Sequence, residues 1–248
     1  MKVYEIPEAG RQTRGKAIVN MLKLEENETL AAYVSVKEFT DDKFLIMSTK
    51  KGLVKRTRLS LFSRPRSGGI IALGLNSDDA LIETKTATEK DEIFIATKGG
   101  KAIRSKIKGF REIGRTGMGV RGINLSKDDE VVSMTVFPEG RKDYSLLTVT
   151  SAGFGKKTSV KEYREQSRGG KGLINIKVTS KIGTVIDIKL VNDKEELMII
   201  TTKGTLIRTK ISDIKMIGRN TQGVKLIKLK ADEKVSAVAR VAEEEEKV

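Results

Sequence analysis

One pattern recurs five times along the 248 residues: a basic, glycine-bearing loop that opens a short apolar segment, at a period of about 52 residues. With Gly15, Gly68, Gly119, Gly170 and Gly223 set in register, the spacings are 53, 51, 51 and 53. Four residues upstream stand Arg11, Arg64, Arg115, Gln166 and Arg219, and four downstream stand Val19, Ala72, Ile123, Ile174 and Ile227. Self-similarity at such a period is the mark of a propeller or solenoid, in which one supersecondary unit recurs because it cannot bury its apolar face alone.

A second unit lies between the loops. Phe44–Thr57, Ile93–Ser105, Leu146–Thr158 and Leu197–Thr209 each run from an apolar stretch through a glycine turn (Gly52, Gly100, Gly153, Gly204) to a strand ending in Lys or Arg before Thr or Ser. Such pairs predict β-hairpins, since glycine takes positive φ in the turn without steric cost. A further strand is expected to start near Leu30, Leu81, Val131, Val185 and Val235, after an acidic turn. No stretch keeps a 3.6-residue apolar period over three turns, so the expectation is an all-β, bladed, propeller-like architecture of four to five blades, about four strands to each repeat of roughly 50 residues. Five glycine loops accompany only four hairpins, which favours a piece of a longer repeat array. One domain over residues 1–241 and an acidic, disordered tail at 242–248 are expected.

Composition narrows the function classes. Lys and Arg number 48 against 33 Asp and Glu, a formal charge of +15, which points to a polyanionic partner, nucleic acid first. Histidine and cysteine are both absent, excluding Ser-His-Asp and Cys-His catalysis, disulfides and thiolate metal sites. A reducing cytoplasm fits, no apolar stretch is long enough to cross a bilayer, and no metal, cofactor or small-molecule substrate is expected.

Gly117–Gly122 matches G-x-G-x-x-G, but a dinucleotide site needs a strand before it and a helix after it, and here a repeat loop runs into a strand. The acidic pairs Asp41-Asp42, Asp78-Asp79, Asp128-Asp129 and Asp232-Glu233 recur before strands, where carboxylates bond turn amides, so they read as structural. The basic residues survive this comparison. Lys55, Arg56, Arg104, Lys156, Lys157 and Arg208 end equivalent strands, while Arg11, Arg14, Lys16, Arg64, Arg66, Arg115, Arg121, Arg168, Lys171, Arg219 and Lys225 cluster around the loops. On successive blades they would form a basic belt suited to a polymer of phosphates. Aromatics make up only 4% with no Trp, which favours duplex backbone contact over base stacking.

Gln166-Ser167-Arg168-Gly169-Gly170-Lys171-Gly172 resembles the heptapeptide Q-R-R-G-G-K-G of the DNA gyrase A C-terminal domain family, with Ser167 its one departure. Tyr4–Ala9, Gly114–Gly122 and Ile217–Gly223 also resemble segments of that family, so the likeness spans nearly the whole chain. The resemblance implies a β-pinwheel whose basic rim bends and wraps duplex DNA, with Gln166, Arg168, Gly169, Gly170, Lys171 and Gly172 at its signature box. It further implies a non-catalytic part in ATP-dependent negative supercoiling by a bacterial type IIA topoisomerase, beside the rest of gyrase A and the ATPase partner gyrase B, in the cytoplasm at the nucleoid. In that family the box sits in the first blade, whereas here it lies in the fourth loop, which also fits the equivalent domain of topoisomerase IV. A protein-binding propeller is the alternative from another class.

Overall fold

The computed structural model describes residues 3–8, 16–22, 24, 28–66, 68–141 and 143–241. The expectations placed on Arg11, Arg14, Gly15 and the tail lie outside these residues.

Four hairpins form where the glycine turns predict them: β1 (Lys43–Thr49) with β2 (Leu53–Arg58), β4 (Glu92–Thr97) with β5 (Lys101–Lys106), β8 (Ser145–Thr150) with β9 (Phe154–Ser159), and β12 (Glu196–Thr201) with β13 (Leu206–Lys210). Each turn glycine has φ between 77° and 88° and donates its N–H to the carbonyl three residues back. A long strand then pairs with the first strand of each hairpin: β3 (Leu81–Thr88), β7 (Val131–Phe137), β11 (Val185–Val191) and β15 (Val235–Val241). The acidic turns before them bond the amides and hydroxyls nearby, as expected. Asp79 Oδ1 accepts from Lys51 N (2.9 Å), Asp129 Oδ1 from Gly99 N (2.8 Å) and Glu233 from the Thr201 hydroxyl (2.5 Å), each stapling an acidic turn to the hairpin of its own blade.

The fourth strand of a blade comes from the next repeat. The short strands β6 (Val120–Arg121), β10 (Leu173–Ile174) and β14 (Val224–Lys225) lie inside glycine loops and pair back onto β2, β5 and β9. The result is three four-stranded sheets, β3-β1-β2-β6, β10-β5-β4-β7 and β11-β8-β9-β14, and one three-stranded sheet, β13-β12-β15. The span of four to five blades resolves to four sheets among the described residues. The strand expected near Leu30 does not form; each of the other such strands pairs with the first strand of a hairpin, and among the described residues no hairpin precedes Leu30. Val34 and Val36 pack instead against Leu45, Met47 and Leu59.

Strand exchange also corrects the repeat register. Val120 pairs with Val54, Leu173 with Ala102 and Val224 with Gly155, so the glycines that precede the exchanged strands are Gly119, Gly172 and Gly223. The sequence columns put Gly170 and Gln166 two residues early, and Ile176 takes the column position given to Ile174. Arg168 is therefore the column-mate of Arg115 and Arg219, and the loops share an Arg-x-x-x-Gly pattern. The absence of a side chain at these glycines is required by close approach: a Cβ on Gly223, at φ 75°, would stand 2.6 Å from Gly155 O, and one on Gly119 2.7 Å from Val54 O.

The core lies between blades. Phe44 and Ile46 of the first sheet meet Ile93, Ile95 and Ile103 of the second; Phe94 meets Leu146 and Ile188; Leu147 and Val149 meet Leu197 and Ile199. Each such Ile or Leu contributes roughly 1.5–3 kcal/mol on burial, so the blades stabilise one another and not themselves alone. Beneath the loops, Tyr163 is buried with its hydroxyl donating to Asn175 Oδ1 at 2.5 Å, and Asn175 Nδ2 donates to Thr148 Oγ1 at 3.0 Å, joining loop to hairpin.

Two buried lysines clamp exchanged loops. Lys55 on β2 donates to Ala72 O (2.6 Å) and to Arg115 O, and Lys156 on β9 donates to Gly218 O (2.5 Å), Arg219 O (2.6 Å) and Thr221 Oγ1 (3.2 Å). Burial strips water from both ammonium groups and pushes each pKa down to about 8, with neighbouring Arg115 and Arg219 adding to the effect and Glu162 opposing it at Lys156. Because the unfolded lysine keeps the ordinary value of 10.5, the unfolded chain binds more protons between about pH 8 and 10.5, and folded stability gains in that window. The stability difference between the wild type and Lys156→Met should therefore move in favour of the wild type as pH rises from 8 to 10; denaturant melts of both proteins at each pH read this directly, and a pH-independent difference would contradict it. Gly223→Ala should cost about 1–3 kcal/mol by adding both strain and a clash, while Gly109→Ala, which meets no atom within 4 Å, should fall within about 0.5 kcal/mol of wild type in the same melts.

Candidate nucleic-acid interface

The glycine loops are bonded to each other as well as to the sheets. Gly74 N donates to Gly117 O (3.2 Å), Gly169 N to Gly122 O (2.7 Å), Asn124 N to Gly170 O (2.9 Å) and Lys177 N to Thr221 O (2.8 Å). Arg219 adds a side-chain link to Ile174 O at 2.9 Å. Residues 72–74, 114–124, 166–177 and 218–227 thus form one continuous band across successive blades, and this band carries the basic side chains into solvent.

Along it, Arg121, Arg168, Lys171 and Lys225 are exposed, and Arg64 and Arg66 are exposed on the loop before Gly68. Lys16 is exposed on the first loop. Arg115 and Arg219 are half-buried, and Arg219 stacks its guanidinium over the Tyr163 ring at 5.8 Å from the centroid. In the box-like segment Gln166, Gly169, Gly170 and Gly172 are half-buried; the first three serve the band's backbone bonds and Gly172 lies close against Ala102, leaving Arg168 and Lys171 as the projecting cations.

The strand-end cations are corrected by the structure. Lys55 and Lys156 are fully buried, with their donors taken by loop carbonyls. Arg56 and Lys157, 7% and 3% exposed, pair with Glu89 (2.9 Å) and Asp193 (2.5 Å). Arg104 holds Glu92 at 2.6 Å and donates to Tyr163 O at 3.0 Å. Arg208 alone of this group is exposed, and it is ion-paired with Glu196. A buried or paired cation brings a phosphate little net charge, so these residues do not line the band; Lys55, Lys156 and Arg104 bond carbonyls of the loops and their leads instead.

The structure adds cations that the repeat columns did not single out. Lys106, Lys108, Arg111, Lys161, Arg164, Lys177 and Lys215 are exposed on the short 3-10 turns after β5 and β9, on the leads into the loops and just beyond an exchanged strand. Their signal lay in the segment joining each hairpin to its glycine loop, where Ile107 and Phe110, or Val160 and Tyr163, are buried and the residues between them are turned outward. Among the described residues no group of three or more carboxylate, histidine or cysteine side chains is placed to hold a metal ion.

A family model described as the DNA gyrase C-terminal domain, β-propeller, matches residues 1–36, 43–85, 91–138, 144–192 and 195–242. The A subunit of DNA gyrase from Salmonella typhimurium is 47% identical over 243 residues, covering 98% of this chain and 27% of that protein. Its counterparts from Escherichia coli and Staphylococcus aureus are 44% and 41% identical, so the chain spans about a quarter of the length of the curated relatives it matches. Among solved structures, the C-terminal domain of a DNA topoisomerase IV superposes with a TM-score of 0.86 at 22% identity over 96% of this chain and 74% of that one. The C-terminal domain of a DNA gyrase A gives 0.82 at 23% identity over 93% and 76%. The exchanged strands, the sheet order and the five matched repeats agree: this chain belongs to the DNA gyrase C-terminal domain family of β-propellers.

Proposed function

We propose that this chain binds, bends and wraps duplex DNA along the loop band, largely without regard to sequence, as the non-catalytic C-terminal domain of a DNA gyrase A. The observation that carries the reading is the band itself: exposed Arg121, Arg168, Lys171 and Lys225 ride on loops that are hydrogen-bonded from one blade to the next, so the cations follow a curved, continuous track. A track of this kind neutralises phosphates along one side of a duplex and releases their counterions, which favours binding in proportion to the number of phosphates neutralised. Backbone contacts position the duplex and need no base edge, in keeping with the few aromatic side chains. The chain supplies neither nucleophile nor nucleotide site in this reading and calls for no cofactor. Strand passage and ATP hydrolysis fall to the remainder of gyrase A and to its ATPase partner gyrase B, within a bacterial cytoplasm.

The track makes a quantitative demand. Replacing Arg121 and Lys225 together by Gln should weaken binding to unrelated duplexes alike and lower the slope of log K against log salt by roughly 1.8, about 0.9 for each phosphate no longer neutralised. Anisotropy titrations across a salt series measure both, and an unchanged affinity and slope would sink the track. Wrapping is separable from binding: relaxed circular DNA incubated with the chain and treated with topoisomerase I should show a shifted linking number, whereas salt-sensitive binding with no shift would mean that the chain holds DNA without wrapping it.

A further inference from the structure

An open recess of about 550 Å³ lies between the second and third blades, lined by Ser105, Lys106 and Lys108 from the end of β5 and its following turn and by Glu165, Gln166 and Arg168 from the exchanged loop. Two buried donors face no partner: Ser105 Oγ, on a residue 1% exposed, and Gln166 Nε2. Both are departures from the repeat. At the positions equivalent to Ser105, Thr57 and Thr158 donate their hydroxyls to Ile113 O (2.9 Å) and Ile217 O (2.8 Å), clipping their loops in place. Gln166 occupies the column of those two isoleucines, as its N–H to Arg104 O shows by matching Ile113 N to Arg56 O and Ile217 N to Lys157 O. The second blade thus releases a hydroxyl from its structural duty and sets an amide beside it where the other loops carry hydrocarbon.

The charges sort equally well. Lys106 is held by Glu165 at 3.1 Å, the counterpart of the Arg58–Glu112 pair at 2.8 Å on the first blade. Lys108 and Arg168 are exposed, with no ion pair among the described residues. Two unpaired cations and two neutral donors, beside a Glu165 carboxylate already held by Lys106, suit a tetrahedral oxyanion, and a buried donor left unpaired carries a desolvation cost that an incoming anion would remove.

We propose that this recess is a phosphate anchor that grips one phosphodiester of the duplex where it crosses from the second blade to the third. The proposal rests on the wrapping reading above and adds Ser105 and Lys108 to the machinery. Ser105→Ala should reduce duplex affinity about tenfold with the salt slope unchanged, as expected for a neutral donor bonded to a charged group. Lys108→Gln should lower the slope by about 0.9. In the 248-residue chain Lys108→Gln should keep the wild-type denaturant midpoint, because the side chain is exposed, and Ser105→Ala should keep or raise it, because the buried hydroxyl has no partner within the fold. If both bind duplex as the wild type does while the Arg121→Gln, Lys225→Gln double variant loses affinity, the anchor is refuted and the track stands; if neither set loses affinity, both fall. Inorganic pyrophosphate separates the two sources of such an anion. Saturation at micromolar concentration, abolished by Ser105→Ala without loss of duplex affinity, would overturn the duplex assignment in favour of a free-anion site.

Discussion

Three glycine carbonyls hold the outer architecture together. Gly52 O accepts from Gly122 N (2.8 Å) and Ile123 N (3.3 Å), Gly100 O from Asn175 N and Ile176 N, and Gly153 O from Leu226 N and Ile227 N. In each case the turn of one hairpin receives the backbone of the next repeat's loop through both lone pairs of a single oxygen. This doubled bond is possible because the turn residue has no side chain: a Cβ on Gly100 would stand 2.4 Å from Ile176 O. The same residue that lets a hairpin turn tightly therefore also admits the neighbouring repeat, and strand pairing, loop path and blade spacing follow from it.

Once the loops are fixed in this way, the many cations divide into two populations with different roles. The inner population, Lys55, Lys156, Arg56, Lys157 and Arg104, sits on the second strands of the first three hairpins and spends its hydrogen bonds on loop carbonyls and carboxylates. Buried ammonium groups are costly in isolation, and here backbone oxygens of the exchanged loops satisfy them. The outer population rides on those same loops. An inner lysine thus sets where an outer arginine stands: Lys55 holds the carbonyl of Arg115, and Lys156 that of Arg219.

The repeat period, the hairpins and the starts of β3, β7, β11 and β15 are legible in the sequence because they depend on local chemistry, a glycine at positive φ and a run of apolar residues. Two things are not. The register of the fourth loop is ambiguous by two residues because Gly170 and Gly172 both fit a glycine column, and only the pairing of Leu173 with Ala102 decides between them. The burial of Lys55 and Lys156 is equally hidden. Leu53–Arg58 is buried at four successive positions, since the exchanged loop covers the face that a two-sided strand would show to water, and such a strand loses the alternation by which exposure is read. The distinction between clamping and solvent-facing cations is therefore tertiary information, carried by a segment about 60 positions away.

A track that bends DNA must be harder to deform than the DNA it bends. Smooth bending of 20–30 base pairs through 40–90° costs on the order of 1–6 kcal/mol, and a loop free to yield would relax before the duplex did. The band meets this demand through bonding in two directions. Each loop is tied inward to the preceding hairpin and sideways to its neighbour, as where Gly169 N reaches Gly122 O while Gln166 N reaches Arg104 O. Further in, the blades meet along β3, β7 and β11, where Ser133 Oγ donates to Asp187 Oδ1 at 2.6 Å and Lys189 pairs with the same carboxyl at 2.6 Å. The bond from Ser133 on β7 to Asp187 on β11 thus joins the second and third blades, and Lys189, on the same strand as Asp187, opposes the upward shift that burial gives that carboxyl. With the apolar core between them, the inner joint and the outer band fix the angle between the second and third blades, so under the wrapping proposal the curvature offered to a duplex is set before it binds.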